Sequence, residues 1–440
     1  MDVLAVIGLI LSVIVLGVGA YKGLGALFAT LLASLVVILT NGMNIWEGFS
    51  GFYMKGYTGA YASFFLMFAC SSLYAHFMNM SGSATAIGYQ FMDWFGKKRV
   101  LLVCTLITAV LTYGGVSLFV VVYAVAPIFF LLFKEANLPR HLTMAVIACG
   151  SATFTMTALP GTPSLTNVIP TQFLGTTLTA APIFGILASI ALFAMCMMYM
   201  NWCEKKARAN DEQWSYPESM DPALYEIKDR SELPSSAKAF APMIVLMAII
   251  IVGSRYGVNS TMLATGAMLT GTLVTFALNY DKLKGKNIKK LIANGLEGGI
   301  GAISGFAGVI AFGSVVSNSS AFASIIEWVL SQQLNPYVQG VFSTMVVSAI
   351  TGSSSGGLRI MLTEFSQDFI ASGVNLDLLH RLVSISAGAL DTLPHSPGLF
   401  LLFAVLGLTH KQAYKHVFWT SCVIPFVVTI VSLLVLVMFF

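Results

Sequence analysis

Two apolar stretches of this chain break at matching punctuation, Leu159-Pro160-Gly161-Thr162-Pro163 and Leu393-Pro394-His395-Ser396-Pro397, and side chains able to bind a ligand or move a proton gather around them. Proline removes a backbone donor and clashes with the preceding turn, so neither stretch can be one continuous helix. The first break offers Thr162, Ser164 and Asn167 as hydrogen-bonding groups; the second offers His395 and Ser396, with Asp391 a short way upstream. Imidazole changes charge near neutral pH, and a carboxyl one helical turn away is within reach if the helix persists that far. Asp391 and His395 are therefore candidates for an exchangeable proton, with a satisfied polar pair as the plainer alternative. Irregular backbone at membrane depth survives only where it lines a cavity or is buried in protein. Each break is thus either part of a ligand site or a packing kink.

Small-residue tips precede both breaks: Thr112-Tyr113-Gly114-Gly115-Val116-Ser117 and Thr351-Gly352-Ser353-Ser354-Ser355-Gly356-Gly357. Glycine and serine let backbone amides approach a ligand closely, and helix N-termini favour anions. Thr112, Gly114, Gly115 and Ser117 should face Ser353, Ser354 and Ser355 across a shared site. Arg359 follows the second tip, and a guanidinium held below the membrane surface is a functional candidate by default. Its fork of donors can hold a carboxylate; a structural pair with Glu364 or Asp368 is the alternative. Gly352-Ser353-Ser354-Ser355-Gly356 also fits the Gly-x-Ser-x-Gly pattern of hydrolases, but that motif needs a strand–turn–helix context. An intramembrane serine hydrolase using Ser354 is therefore the different-class rival.

The elements that hold these residues must be membrane helices. The chain of 440 residues is 57% hydrophobic and only 10% charged, against about 25% charged in soluble domains. Runs such as Val3–Ala20 and Pro182–Trp202 approach the roughly 20 apolar residues that span a bilayer. Val3–Ala20 lacks a basic leader and reads as a first span rather than a signal peptide. Six scattered cysteines show no CxxC or Cys/His ligand spacing, and no P-loop occurs, so no metal or cofactor is expected. Nothing points to nucleic acid.

The polar stretch 204–238 divides the chain into repeats at 1–203 and 239–440. Asn44-Ile45-Trp46-Glu47-Gly48 is similar to Asn294-Gly295-Leu296-Glu297-Gly298, and tip and break follow each in one order. Val100–Leu111 covers only about 18 Å as a helix, short of a core of roughly 30 Å, which suits a re-entrant hairpin. The expected fold is all-α and polytopic, with about ten spans and two hairpins. Five crossings per half would invert the second repeat. That topology gathers 19 of the 23 Lys and Arg on one side, leaving Lys55, Arg255, Arg359 and Arg381 elsewhere. By the positive-inside rule the linker is cytoplasmic and both termini lie outside.

Phe95-Gly96-Lys97-Lys98, the tip Thr351–Gly357 with Leu358–Phe365 after it, and the two proline breaks resemble the gluconate permease (GntP) family over essentially the whole chain. The resemblance implies an inverted-repeat proton symporter of small hydroxylated carboxylates in the bacterial inner membrane, working as a homodimer. Gluconate-type members carry a His/Pro-rich segment where this chain reads Leu159-Pro160-Gly161-Thr162-Pro163-Ser164, and an Asn-Asp segment around Asp391. The form found here is similar to the 3-hydroxybutyrate branch. Gluconate, lactate or citrate transport, or sodium coupling, are the nearer rivals.

Overall fold

The structure is a computed structural model that describes residues 3–96, 99–113, 118–216, 230–256, 260–332 and 334–439. Among them there is no strand, and seven helices are long and apolar enough to cross a membrane. The chain is an all-α polytopic membrane protein.

The first half runs α1 (Val3–Tyr21), α2 (Ala26–Thr40), α3 (Met54–Met80), α4 (Ser83–Phe95), α5 (Val100–Tyr113), α6 (Leu118–Glu135), α7 (Leu142–Thr157), α8 (Leu165–Leu174) and α9 (Pro182–Ala209). The second runs α10 (Ser236–Arg255), α11 (Ser260–Leu278), α12 (Ile288–Ser317), α13 (Ser320–Leu330), α14 (Pro336–Thr351), α15 (Ser354–Ala371), α16 (Leu376–Ala387), α17 (Pro397–Leu406) and α18 (His410–Met438). In each half the third helix is long, at 27 and 30 residues. A short helix and a hairpin follow it, then a broken helix whose second piece has 10 residues.

Local chemistry explains where the helices of the second half begin. Asn287, Ser319, Asn335, Ser353 and Asn375 each stand at an N-cap and accept a backbone N–H through the side chain, which satisfies donors that the first turn leaves free. At the other end of the first half, α9 continues past Cys203 to Ala209. Glu204 accepts from Arg208 at 2.8 Å one turn away, and Lys206 and Arg208 lie at the negative end of the helix dipole. Helix α9 thus extends into the polar stretch 204–238, and α10 begins within it at Ser236.

The long helices α3 and α12 pack antiparallel, and glycine sets their separation. A Cβ at Gly299 would lie 2.8 Å from both Ala69 Cα and Phe68 O, and one at Gly295 2.8 Å from Leu73. Small residues permit such close approach in membrane helices, where packing drives association. The first helical hairpin, α5 with α6, packs on this pair through α6, and the second, α14 with α15, packs on α8 and α16. The ends of α4 and α6 meet the linker, through Asp93 with Arg230 and through Lys134 with Tyr216. Glu212 binds His141, whose ring stacks on His416 with a nitrogen separation of 2.7 Å. Helix α5 starts at this linker face, and α6 returns to it. Helices α14 and α15 form the second hairpin, turning at Gly352.

Because the nearest atoms at Gly299 are backbone, they cannot rotate away. Gly299→Ala should force α3 and α12 apart and cost about 1–3 kcal/mol, read as a lowered thermal midpoint of the purified protein in detergent. An unchanged midpoint would show that the helices can separate freely.

Candidate functional site

Backbone pairing at the two breaks builds the site. At the first break the carbonyls need new donors. Ser164 donates to Met156 O at 2.6 Å and Thr166 donates to the same oxygen. Tyr113, at the end of α5, donates to Pro160 O at 3.3 Å, while Asn167 Nδ2 donates to Thr162 O at 2.8 Å and Leu178 O at 2.9 Å. At the second break His410 Nε2 donates to Pro394 O at 3.1 Å, and the Tyr414 hydroxyl to Thr392 O at 3.3 Å. Each hairpin tip therefore docks on the break of its own half. Ser396 Oγ donates to Gly352 O at 3.0 Å. Gly352 has φ of +62°, and a Cβ there would lie 3.1 Å from Ser396 Cα, so geometry and space both require glycine.

Between these tip–break pairs lies a cavity of about 600 Å³, within the range of small-molecule pockets. Three helix N-termini open onto it: α8 through Ser164, Leu165 and Thr166, α15 through Ser353, Ser354 and Ser355, and α17 through Ser396, Pro397 and Gly398. Each end carries the partial positive charge of its helix dipole, an arrangement that favours an anion; at α15 Ser353 caps the Gly356 N–H, and at α17 Pro397 brings no donor. The remaining wall is largely apolar, with Phe64, Phe119 and Phe306 clustered at ring separations of 5.3 to 6.3 Å. Asp391 is the one titratable side chain among the described lining residues. It lies beside Ser354, and its Oδ1 has no hydrogen-bond partner.

The expected site residues divide into three groups. Thr112, Ser164, Ser353, Ser354, Ser355, Asp391 and Ser396 line the cavity. Thr162, Asn167 and His395 are buried beside it, behind its wall. Asn167 also accepts from His380 Nε2 at 3.0 Å, which ties the first break to α16. His395 packs beneath Gly352, its ring 3.2 Å from the position of a Cβ there. The carbonyls of Ala349 and Ile350 lie near, short of hydrogen-bond geometry. Arg359 is the third case. It is exposed and outside the cavity lining, one turn beyond Ser355, because the helical rise carries the guanidinium off the tip. Neither Glu364 nor Asp368 forms an ion pair with it among the described residues. Gly114, Gly115 and Ser117 lie outside the described residues.

A sequence model described as GntP family permease matches residues 1–439. The chain belongs to this family. The permease is 32% identical over 434 residues to the uncharacterized transporter YxjC of Bacillus subtilis (strain 168), covering 91% of this chain and 92% of that protein. It is 23% identical over 423 residues to an uncharacterized permease of Haemophilus influenzae, covering 87% and 82% of the two chains. An uncharacterized transporter from the same organism is also 23% identical over 359 residues, or 81% and 80%.

Some of the permease's cavity wall has no forecast in the residue pattern. Two π-helical turns, Ala148–Thr153 and Phe418–Val423, meet where Thr153 donates to Thr420 O at 3.2 Å, and they present Ser151 and Ser421 to the cavity. Such turns often mark functional sites. The small-residue run Ala148-Cys149-Gly150-Ser151-Ala152-Thr153 is the signal that could have found the first; the second has none.

Structural and ligand-facing roles separate by measurement. Asn167→Ala leaves buried carbonyls without donors at about 1–3 kcal/mol each and should lower thermal stability markedly. Ser354→Ala, at a residue of the cavity wall beside Asp391, should leave the thermal midpoint near that of the wild type.

Proposed function

We propose that the protein is a proton-coupled symporter of a short-chain hydroxy-monocarboxylate, such as 3-hydroxybutyrate. The observation that carries this reading is the convergence of three helix N-termini on one cavity, with the Asp391 carboxyl on its wall. Fixed positive dipole ends would hold the substrate carboxylate. A neighbouring carboxylate opposes that binding unless it takes up a proton, so proton and substrate would enter together. Asp391 is the proton carrier in this scheme. His395, buried beneath the second tip, positions that tip.

The apolar share of the wall supports a small acid with few hydroxyls over gluconate, since every buried hydroxyl of a polyol needs a partner. Arg359, exposed one turn from Ser355, would draw anions toward the tip through its field. The hydrolase alternative lacks a histidine base: no histidine hydrogen-bonds to Ser354 among the described residues, and both ring nitrogens of His395 are unpartnered.

The repeated element order supports two inverted repeats. The basic residues gathered at the linker face support a cytoplasmic linker with both termini outside, in a bacterial inner membrane. As the family resemblance implies, we take the working unit to be a homodimer.

Proteoliposomes with an imposed proton gradient should accumulate labelled 3-hydroxybutyrate. Accumulation that follows sodium instead would overturn the coupling, and uptake of gluconate alone would overturn the substrate. Asp391→Asn should abolish accumulation against a gradient while preserving substrate exchange; gradient-driven accumulation by this variant would place the proton elsewhere. Arg359→Ala should raise KM about tenfold through loss of electrostatic attraction, and Arg359→Lys should restore most of it.

A further inference from the structure

A second cavity, of about 320 Å³, lies on the linker side of the first and is lined by four helices that also border the first, α3, α6, α12 and α17. Along each helix the two linings are separated by a few turns at most. Phe64 faces the first cavity and Ser72 the second; Phe119 and Tyr123, Phe306 and Ala302, and Leu402 and Val405 divide in the same way. One aromatic layer separates the two spaces. In it Phe68 packs on Phe306 at 5.2 Å and on Tyr123 at 6.4 Å, and Phe119 packs on Phe306 at 5.3 Å.

The second cavity carries a larger polar share of its wall than the first. Ser72, His76 and Asn79 follow at i, i+4 and i+7 on α3 and so share one face. Opposite them stand Gly298 and Gly301 of α12, and a Cβ at Gly301 would meet nothing within 4 Å. Tyr123 is only 5% exposed, lines this space, and its hydroxyl has no hydrogen-bond partner; His76 Nε2 has none either. A buried polar group without a partner costs about 1–3 kcal/mol, so two of them on side chains that line one cavity point to a ligand that partners them there. Lys286, within electrostatic reach of His76 and bonded to Met80 O at 2.9 Å, adds positive charge at the same end.

We infer that this second cavity is a carboxylate-binding station on the linker side of the aromatic layer, with the Tyr123 hydroxyl and His76 as donors. The inference rests on the transport reading above and adds a second position for the same substrate. The carboxylate leaves the three helix N-termini, passes the ring layer when it opens, and is held by Tyr123 and His76 before release. The field of Lys286 biases the anion toward that face. Phe68, Phe119 and Phe306 close the route between the two positions.

The test measures transport of labelled 3-hydroxybutyrate by the full-length permease in membrane vesicles of both orientations, so that KM is obtained separately from each face. Tyr123→Phe keeps the ring and removes only the hydroxyl. It and His76→Gln should raise KM from the linker face about tenfold, as expected for one hydrogen bond to a charged group, with KM from the terminal face unchanged. Gly301→Val, which fills the cavity from its open side, should reproduce the linker-face defect. An unchanged linker-face KM in all three variants would mean that the cavity holds only water or a lipid chain, and would overturn the inference. Equal shifts from both faces would overturn it too, by making these residues general packing elements. If the wild-type protein moves no carboxylate from either face, the transport reading itself fails, an outcome visible before any variant is compared.

Discussion

Backbone polar groups released by proline at membrane depth must find partners, and the rest of this structure is organised around that demand. Two helices break, and each break leaves carbonyls that lipid cannot satisfy. Side chains from distant elements supply the donors: Tyr113 and Asn167 at the first break, His410 and Tyr414 at the second. These bonds fix the hairpin tips, the entry of α16 and the start of α18 relative to the breaks. The cavity is the space left between the elements that these bonds dock together.

The electrostatics of the cavity follow from the same construction. Breaking a helix creates a new N-terminus, and both breaks point theirs, α8 and α17, into the cavity. The tip of the second hairpin adds α15. None of these requires a fixed cationic side chain on the wall, so the anion-favouring field comes from backbone. A permanent charge would hold its ligand on both sides of the membrane. Under the proposed symport, backbone dipoles opposed by Asp391 would give a site whose affinity changes when a single proton arrives, which suits a carrier that must release what it binds.

Much of this was legible in the residues because proline and glycine act locally. The breaks at Pro160 and Pro394, the tip at Gly352, and the 14-residue arm Val100–Tyr113 all depend on the chain within a few positions. Long-range placement was less accessible. Asn167 was expected among ligand-facing groups, yet three hydrogen bonds hold it behind the wall, and two of its partners, Leu178 and His380, lie well apart in the chain. Arg359 shows the same limit on a smaller scale. Its position one turn past the tip is a sequence fact, but which way that turn faces depends on how α15 packs.

The sequence by itself determined the class of molecule, the punctuation of its helices, and the residues that stand at breaks and tips, because hydrophobic length, proline and glycine exert their effects within one or two turns. Tertiary structure alone decided which N-termini share a cavity and that Asp391 rather than Arg359 stands on its wall. It also decided that π-helical turns bring Ser151 and Ser421 beside them. Those outcomes depend on contacts between elements up to hundreds of residues apart, such as Thr153 with Thr420, and no local pattern encodes the angle at which two helices meet.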